Sequence, residues 1–377
     1  MTTYSYDIHG IVSVVSDGYL PELEAFRTEA AIDAPTIRVK IGTASRRKAI
    51  ERGEIVYHDG MGWSGFSIVI NHGETIEILA SPLLRRSPHV LYTNVVEPVL
   101  RWTFVTKGYA LVHAACLAFG TDAFLITART DTGKTTTILR VLDNDAEAHF
   151  VSDDLTLVSP DGEVMTYPKP LTISAHTVAA VRAPLLSRRE RFTLPVQSRL
   201  HSKSGRQFGL LLTRSGMPMA TFNAIVQWMI PPPKYAVQRL VPGAKLATRA
   251  KLAGMIVIER GTDEGERSLS SQEALDILMT NSEDSFGFPP YPIIKDRLYG
   301  ATGSDLRPVE RATVEAALRG VPATLMRSVE RNWWQRVPGF AASAIQRPVA
   351  QGLLDPIGGW NPGLAGGFAS SMEGGSD

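Results

Sequence analysis

The feature that most constrains this chain is the run Ala128, Arg129, Thr130, Asp131, Thr132, Gly133, Lys134, Thr135. It follows an apolar stretch at residues 123–127. It leads into residues 135–142, where Ile138, Leu139, Val141 and Leu142 share a helical face. A strand that feeds a turn and then opens a helix is the geometry of a phosphate-binding loop. Backbone N–H groups curl around an anion, the lysine reaches the outer phosphates, and the hydroxyl after it meets magnesium. The candidate nucleotide-contacting residues are therefore Thr130, Asp131, Thr132, Gly133, Lys134, Thr135 and Thr136. Such a unit belongs to an α/β core.

Two flanking segments add chemistry. Residues 109–118 read as a strand of small residues around His113, joined to the next strand by the turn at Gly120, Thr121 and Asp122. Downstream, His149, Phe150, Val151 and Ser152 lead up to the adjacent carboxylates Asp153 and Asp154. This places both acids at the end of a strand, where a sheet presents them to a ligand. Pleating turns neighbouring side chains in opposite directions, so one aspartate is placed to face a metal and the other an acceptor. Thr135 and Asp154 are the candidate magnesium ligands, and Asp153 is the candidate base.

A formal net charge of +1 gives no global reason to expect nucleic acid. Cys116 is the only cysteine, which excludes an intrachain disulfide and fits a reducing cytoplasm. Arg101, Lys107 and His113 interrupt the most apolar region, so no transmembrane span is expected, while peripheral membrane contact stays open.

The rest of the chain divides into an expected β-rich domain (1–90), the α/β core (91–285), a helical extension (286–338) and a flexible tail (339–377). In the first, strands are expected at 11–15, 36–41, 54–57, 66–70 and 75–80, with a helix at 20–29. His58, Asp59 and His72 read as isolated turn polars rather than a metal cluster. A connecting helix at 92–107 is ended by Gly108, and residues 171–181 read as a strand and a short helix. Seven basic residues (Arg182, Arg188, Arg189, Arg191, Arg199, Lys203, Arg206) then face the single acid Glu190. That stretch reads as a solvated loop or as a docking surface for an anionic acceptor. Strands are expected at 235–241 and 255–259, and a helix at 271–278 with Ser270 as its cap and Glu273 in its first turn. The proline-rich run 286–292 marks a boundary before helices at 308–319 and 326–334. Trp333 and Trp334, beside Arg327, Arg331 and Arg336, read as a membrane or subunit contact or as ordinary packing.

The ordered set His113-Ala-Ala-Cys, Gly133-Lys134-Thr135 and Ser152-Asp153-Asp154 resembles the HPr kinase/phosphorylase family, whose core is related to that of phosphoenolpyruvate carboxykinase. The resemblance covers residues 95–174. It implies an ATP-dependent, magnesium-requiring kinase that transfers the γ-phosphoryl group to a hydroxyl, on a protein or peptide serine or a small polyol. By the same resemblance, catalysis falls to Asp153, His113 and Lys134, and the protein forms a homo-oligomer. Ala128 stands at the loop's usual first glycine, so its backbone must take a conformation open to a residue with Cβ. The glycine-rich C-terminal signature by which HPr kinases recognise their protein substrate is absent. The alternative reading is a nucleotide-sensing module without catalysis.

Overall fold

The computed structural model describes residues 2–43, 45–61, 64–181, 185–187, 190, 194 and 218–346. The basic residues of the 182–206 stretch, the apolar run 208–212 and the tail beyond 346 lie outside the described residues.

The fold is mixed α/β. The N-terminal strands are β1 (Tyr4–Ile8), β2 (Val12–Ser16), β3 (Arg27–Thr28), β4 (Ile37–Ile41), β5 (Ile55–Met61), β6 (Ser64–Asn71) and β7 (Ile76–Ala80). They form one sheet in the order β3-β1-β2-β4-β7-β6-β5. Alternating burial along β7 (Ile76, Ile78 and Ala80 inward) shows one covered face. The sequence places β2, β4, β5, β6 and β7, whereas β1 and β3 are not among its expected strands. The expected helix at 20–29 is only a short 3-10 turn, Pro21–Phe26, because Pro21 starts it and Arg27–Thr28 is drawn into pairing with β1. His58 and Asp59 lie within β5 rather than in a turn.

The second sheet contains β8 (Ala110–Val112), β9 (Ala115–Phe119), β10 (Asp122–Thr127), β11 (Ala148–Ser152), β12 (Thr156–Val158) and β13 (Glu163–Met165). After the small pair β14 (Leu171–Thr172) and β15 (Lys234–Tyr235), the long strand β16 (Arg249–Arg260), β17 (Gly265–Leu269) and β18 (Ala323–Ser328) complete it. The main path runs β11-β9-β10-β16-β13-β12-β8, with β18 and then β17 branching from β16. β10 is central, antiparallel to β9 and parallel to β16.

Helices of nine or more described residues are α1 (Glu97–Thr106), α2 (Lys134–Asn144), α3 (Met219–Met229), α4 (Ser271–Ser285), α5 (Tyr291–Tyr299), α6 (Arg307–Ala317) and α7 (Val337–Ile345). The Ser270–Glu273 capping box opens α4 as its sequence predicts. On β16, Ile256 and Ile258 pack with Ile138 and Leu139 of α2, whereas Met255 and Val257 pack with Leu275 of α4 and Val314 of α6. The strand's alternation thus separates the two faces of the sheet. A third core joins the N-terminal sheet to α1 and to Leu157, Met165 and Tyr167. Among the described residues no helix is long and apolar enough to cross a membrane.

Four expectations are corrected. Residues 109–118 are not one strand, because the chain breaks after Val112 and restarts at Ala115. Residues 235–241 are the end of β15 and the short helix Val237–Leu240. The segment expected to be helical at 326–334 begins inside β18, which pairs in parallel with β16 and buries Thr324, Met326 and Ser328 in alternation. There tertiary pairing overrides the local pattern. The tail expected from 339 is helical through Ile345, since Val337 and Ala341, one turn apart, are buried.

Candidate functional site

The break at residue 113 organises the site. β8 and β9 are separated by two residues in sequence, yet β8 ends the sheet path and β9 is next to its other end. The three steps from Val112 to Ala115 span at most about 11 Å, so the sheet must curl until its ends meet. His113 and Ala114 cross that seam. A second connection crosses it as well, because β11 at one end and β12 near the other are joined by Asp153, Asp154 and Leu155 alone. The Thr156 hydroxyl donates to the Ala114 carbonyl at 2.8 Å and is bonded to Ser152, closing the seam.

The loop at residues 128–133 leaves β10 beside this seam. Asp131 takes a left-handed φ of 63°, which aspartate tolerates, and Gly133 takes φ 134°. The Thr132 hydroxyl and N–H both turn back to the Arg129 carbonyl. Arg260, at the end of β16, donates to the carbonyls of Asp131 and Thr132 and fastens the loop from outside. Among the described residues no side chain caps α2, whose first-turn N–H groups face the loop. Ala128 is buried in the α2 core and is not among the residues with positive φ, so a Cβ is accommodated there without backbone strain.

Gly133 has a different constraint, for a Cβ on it would meet Trp333 Cζ3 at 3.3 Å. Trp333 is fully buried against α2 and belongs to its core, which is ordinary packing rather than a membrane contact. Gly133→Ala is therefore expected to destabilise the protein by more than about 1 kcal/mol, because it adds both an unfavourable φ and a crowded contact. Urea unfolding of the variant measures this, and an unchanged midpoint would show that the loop accepts Cβ at that position.

At the seam the side chains converge. Lys134 Nζ lies 2.7 Å from His113 Nε2. His113 Nδ1 is 2.9 Å from the Asn281 carbonyl on α4. A carbonyl only accepts, so Nδ1 carries the hydrogen, while Nε2 stands between the Lys134 ammonium and the Asp154 carboxylate. Asn281 also donates to Thr127, whose hydroxyl reaches the His113 carbonyl, and Ser282 accepts from the His113 N–H. The Thr135 hydroxyl donates to Asp153 Oδ2 at 3.0 Å. Asp153 is 8% exposed, and among the described residues nothing pairs with its Oδ1. Asp154, half-exposed, lies 3.2 Å from His113 Nε2 through Oδ1 and accepts from Lys169 at 2.8 Å through Oδ2. Lys169 also donates to the buried Glu97 at 2.6 Å.

The electrostatics divide the two aspartates. Burial, reinforced by the neighbouring Asp154 charge, pushes Asp153 up to about 7. Burial acts on Asp154 in the same direction, but Lys169, His113 and Lys134 outweigh it and hold that carboxyl well below the usual range. Lys134 is lowered to about 8 by burial, against the pull of Asp154 and Asp153. One carboxylate is thus permanently charged and the other is poised near neutrality.

The structure brings together His113, Lys134, Thr135, Asp153 and Asp154. Thr132 is buried within the turn, Thr136 faces Thr177, and Asp131 is exposed at the loop's rim. Sequence reasoning misses Lys169, Glu97, Asn281 and Arg260. Of these only Lys169 has a local signal, its place between Pro168 and Pro170. No family model matches the chain, and no curated protein matches it.

Proposed function

We propose that this protein is an ATP-dependent phosphotransferase of HPr-kinase-like type, with a core related to that of phosphoenolpyruvate carboxykinase. It transfers the γ-phosphoryl group to a hydroxyl, of a protein or peptide serine or a small polyol. The observation that carries this reading is the seam, where a histidine, a loop lysine and two unlike aspartates meet at the start of an uncapped helix.

Loop amides and the Lys134 ammonium receive the phosphates, giving charge-assisted contacts where negative charge is concentrated. Thr135 and Asp154 fit a magnesium ion. The Thr135 hydrogen is committed to Asp153, which leaves the oxygen's lone pairs for a hard cation. Asp154 is ionised and half-exposed. When bound, magnesium supplies neutralisation of phosphate charge.

Asp153 Oδ2 is held by Thr135, so its unpartnered Oδ1 is the oxygen that accepts the acceptor's hydroxyl proton. A bond forms between the acceptor oxygen and Pγ as the bond from Pγ to the β,γ-bridging oxygen breaks, and ADP leaves.

Lys134→Ala removes a charged donor worth roughly 1.5–3 kcal/mol, so ATP affinity is expected to fall about 10- to 150-fold. Calorimetric titration with ATP, paired with turnover on candidate acceptors, tests this. Wild-type binding and turnover in the variant would remove the loop from the site. Tight binding by the wild type with no transfer to any acceptor would leave a nucleotide-sensing module.

A further inference from the structure

Lys169 and Glu97 form a buried pair that the proposed chemistry does not use. Lys169 follows β13, and Glu97 opens α1. Their side chains are each 9% exposed and meet at 2.6 Å, with the Lys169 ammonium 5.8 Å from the centre of the Tyr92 ring. Replacing a buried ion pair by apolar groups is often neutral or stabilising, so stability alone gives little reason for this one. Its other contact is more telling. The same ammonium reaches past Glu97 to Asp154 Oδ2 at 2.8 Å, while Asp154 Oδ1 stands 3.2 Å from His113 Nε2.

Asp154 is half-exposed and stands two residues past the end of β11, where a short carboxylate would otherwise rotate freely. Lys169 removes that freedom by fixing one oxygen, which aims the other at the histidine. Glu97 in turn fixes Lys169, since an ammonium on a four-carbon stem with only one partner could swing to solvent. The order is thus anchor, clamp and carboxylate, running from α1 to the seam.

We propose that Lys169, anchored by Glu97, is the positioning residue that holds the Asp154 carboxylate against His113 and so sets the geometry of the phosphoryl-transfer site. The inference rests on the phosphotransferase reading for its effect on rate, but its structural part is independent of it. Lys169 touches no reacting atom. Its effect falls on kcat, because misplacing a site group by about 1 Å costs on the order of 10²-fold in rate.

The test is the double variant Lys169→Met/Glu97→Gln in the full chain, which avoids leaving either charge buried and unpaired. Expected results are an unfolding midpoint close to wild type, an ATP KM within about threefold, and a kcat lower by on the order of 10²-fold. In its crystal structure the Asp154 carboxylate has turned away and the His113 contact is lost. A kcat within about threefold of wild type overturns the role in rate. A carboxylate still 3.2 Å from His113 overturns the clamp itself. Should the wild type transfer no phosphoryl group at all, the functional reading falls, and the crystal structure of the double variant still decides the clamp.

Discussion

Asp153→Asn is expected to lower phosphoryl transfer by roughly 10²- to 10⁴-fold, the range for loss of a general base, while making the protein more stable above pH 7. Both effects come from one cause. In the folded protein burial and Asp154 lift the Asp153 carboxyl from its ordinary 3.8 to about 7. The folded state therefore binds this proton more tightly than the unfolded chain does. Its contribution to stability is complete below about pH 3.8 and is lost as pH rises through 7. At pH 8 the wild type holds an ionised carboxylate in a buried site beside the Asp154 charge, at a cost on the order of 4 kcal/mol given about 1.4 kcal/mol per pH unit. Asparagine keeps the acceptor for the Thr135 hydroxyl and carries no charge, so it removes that cost. Urea unfolding at pH 5.5 and pH 8 should show the variant's advantage over the wild type growing by about 2 kcal/mol between them.

The same displacement shapes the rate profile. Wild-type kcat/KM should rise through pH 7 as Asp153 ionises and decline above pH 8 as Lys134 loses its proton. The variant should lack the acid limb. Turnover unaffected by the substitution, with the limb near pH 7 intact, would mean that another group takes the acceptor's proton.

How far the sequence announces this arrangement depends on the range of the physics. The loop was legible because a strand, a turn and an amphipathic helix follow one another within about twenty residues, and each has its own period. The two aspartates were legible as the end of a strand. The seam was not, because it results from strand order, and nothing within residues 109–118 shows that β8 pairs with β12 while β9 pairs with β10 and β11. Small side chains at Ala114, Ala115 and Cys116 suit a continuous strand and a tight crossing equally. Lys169 and Glu97 are 72 positions apart, and Asn281 supplies its carbonyl from 168 positions beyond His113. Partners at that range leave no periodic trace. Ala128 shows the opposite limit. Judged by its place in a motif it looks like a defect, whereas its backbone angle makes the missing glycine unnecessary.

The Arg101 cluster was equally hidden, and it yields the largest expected effect on stability. Arg101, on α1, is 2% exposed and donates through Nε and Nη2 to both oxygens of Glu310 on α6, at 2.7 and 2.9 Å. Its Nη1 reaches Glu283 at 3.2 Å and the Tyr291 hydroxyl at 3.1 Å, and its guanidinium lies 4.9 Å from the centre of the Phe286 ring. Along the chain Arg101 looks like an interruption in an apolar helix. In the fold it gathers α4, α5 and α6 around α1, so the proline-rich run 286–292 is drawn into the same buried cluster. Arg101→Ala is expected to destabilise the protein by about 3–5 kcal/mol, because Glu310 is left buried with its charge and, among the described residues, only the Tyr299 hydroxyl at 3.3 Å. Adding Glu310→Gln to Arg101→Ala should recover most of that loss, since the stranded charge rather than the missing contact accounts for the larger part. Urea midpoints of the single and double variants separate the two contributions. A single variant within about 1 kcal/mol of wild type would show that α1 and α6 are held together by apolar packing alone.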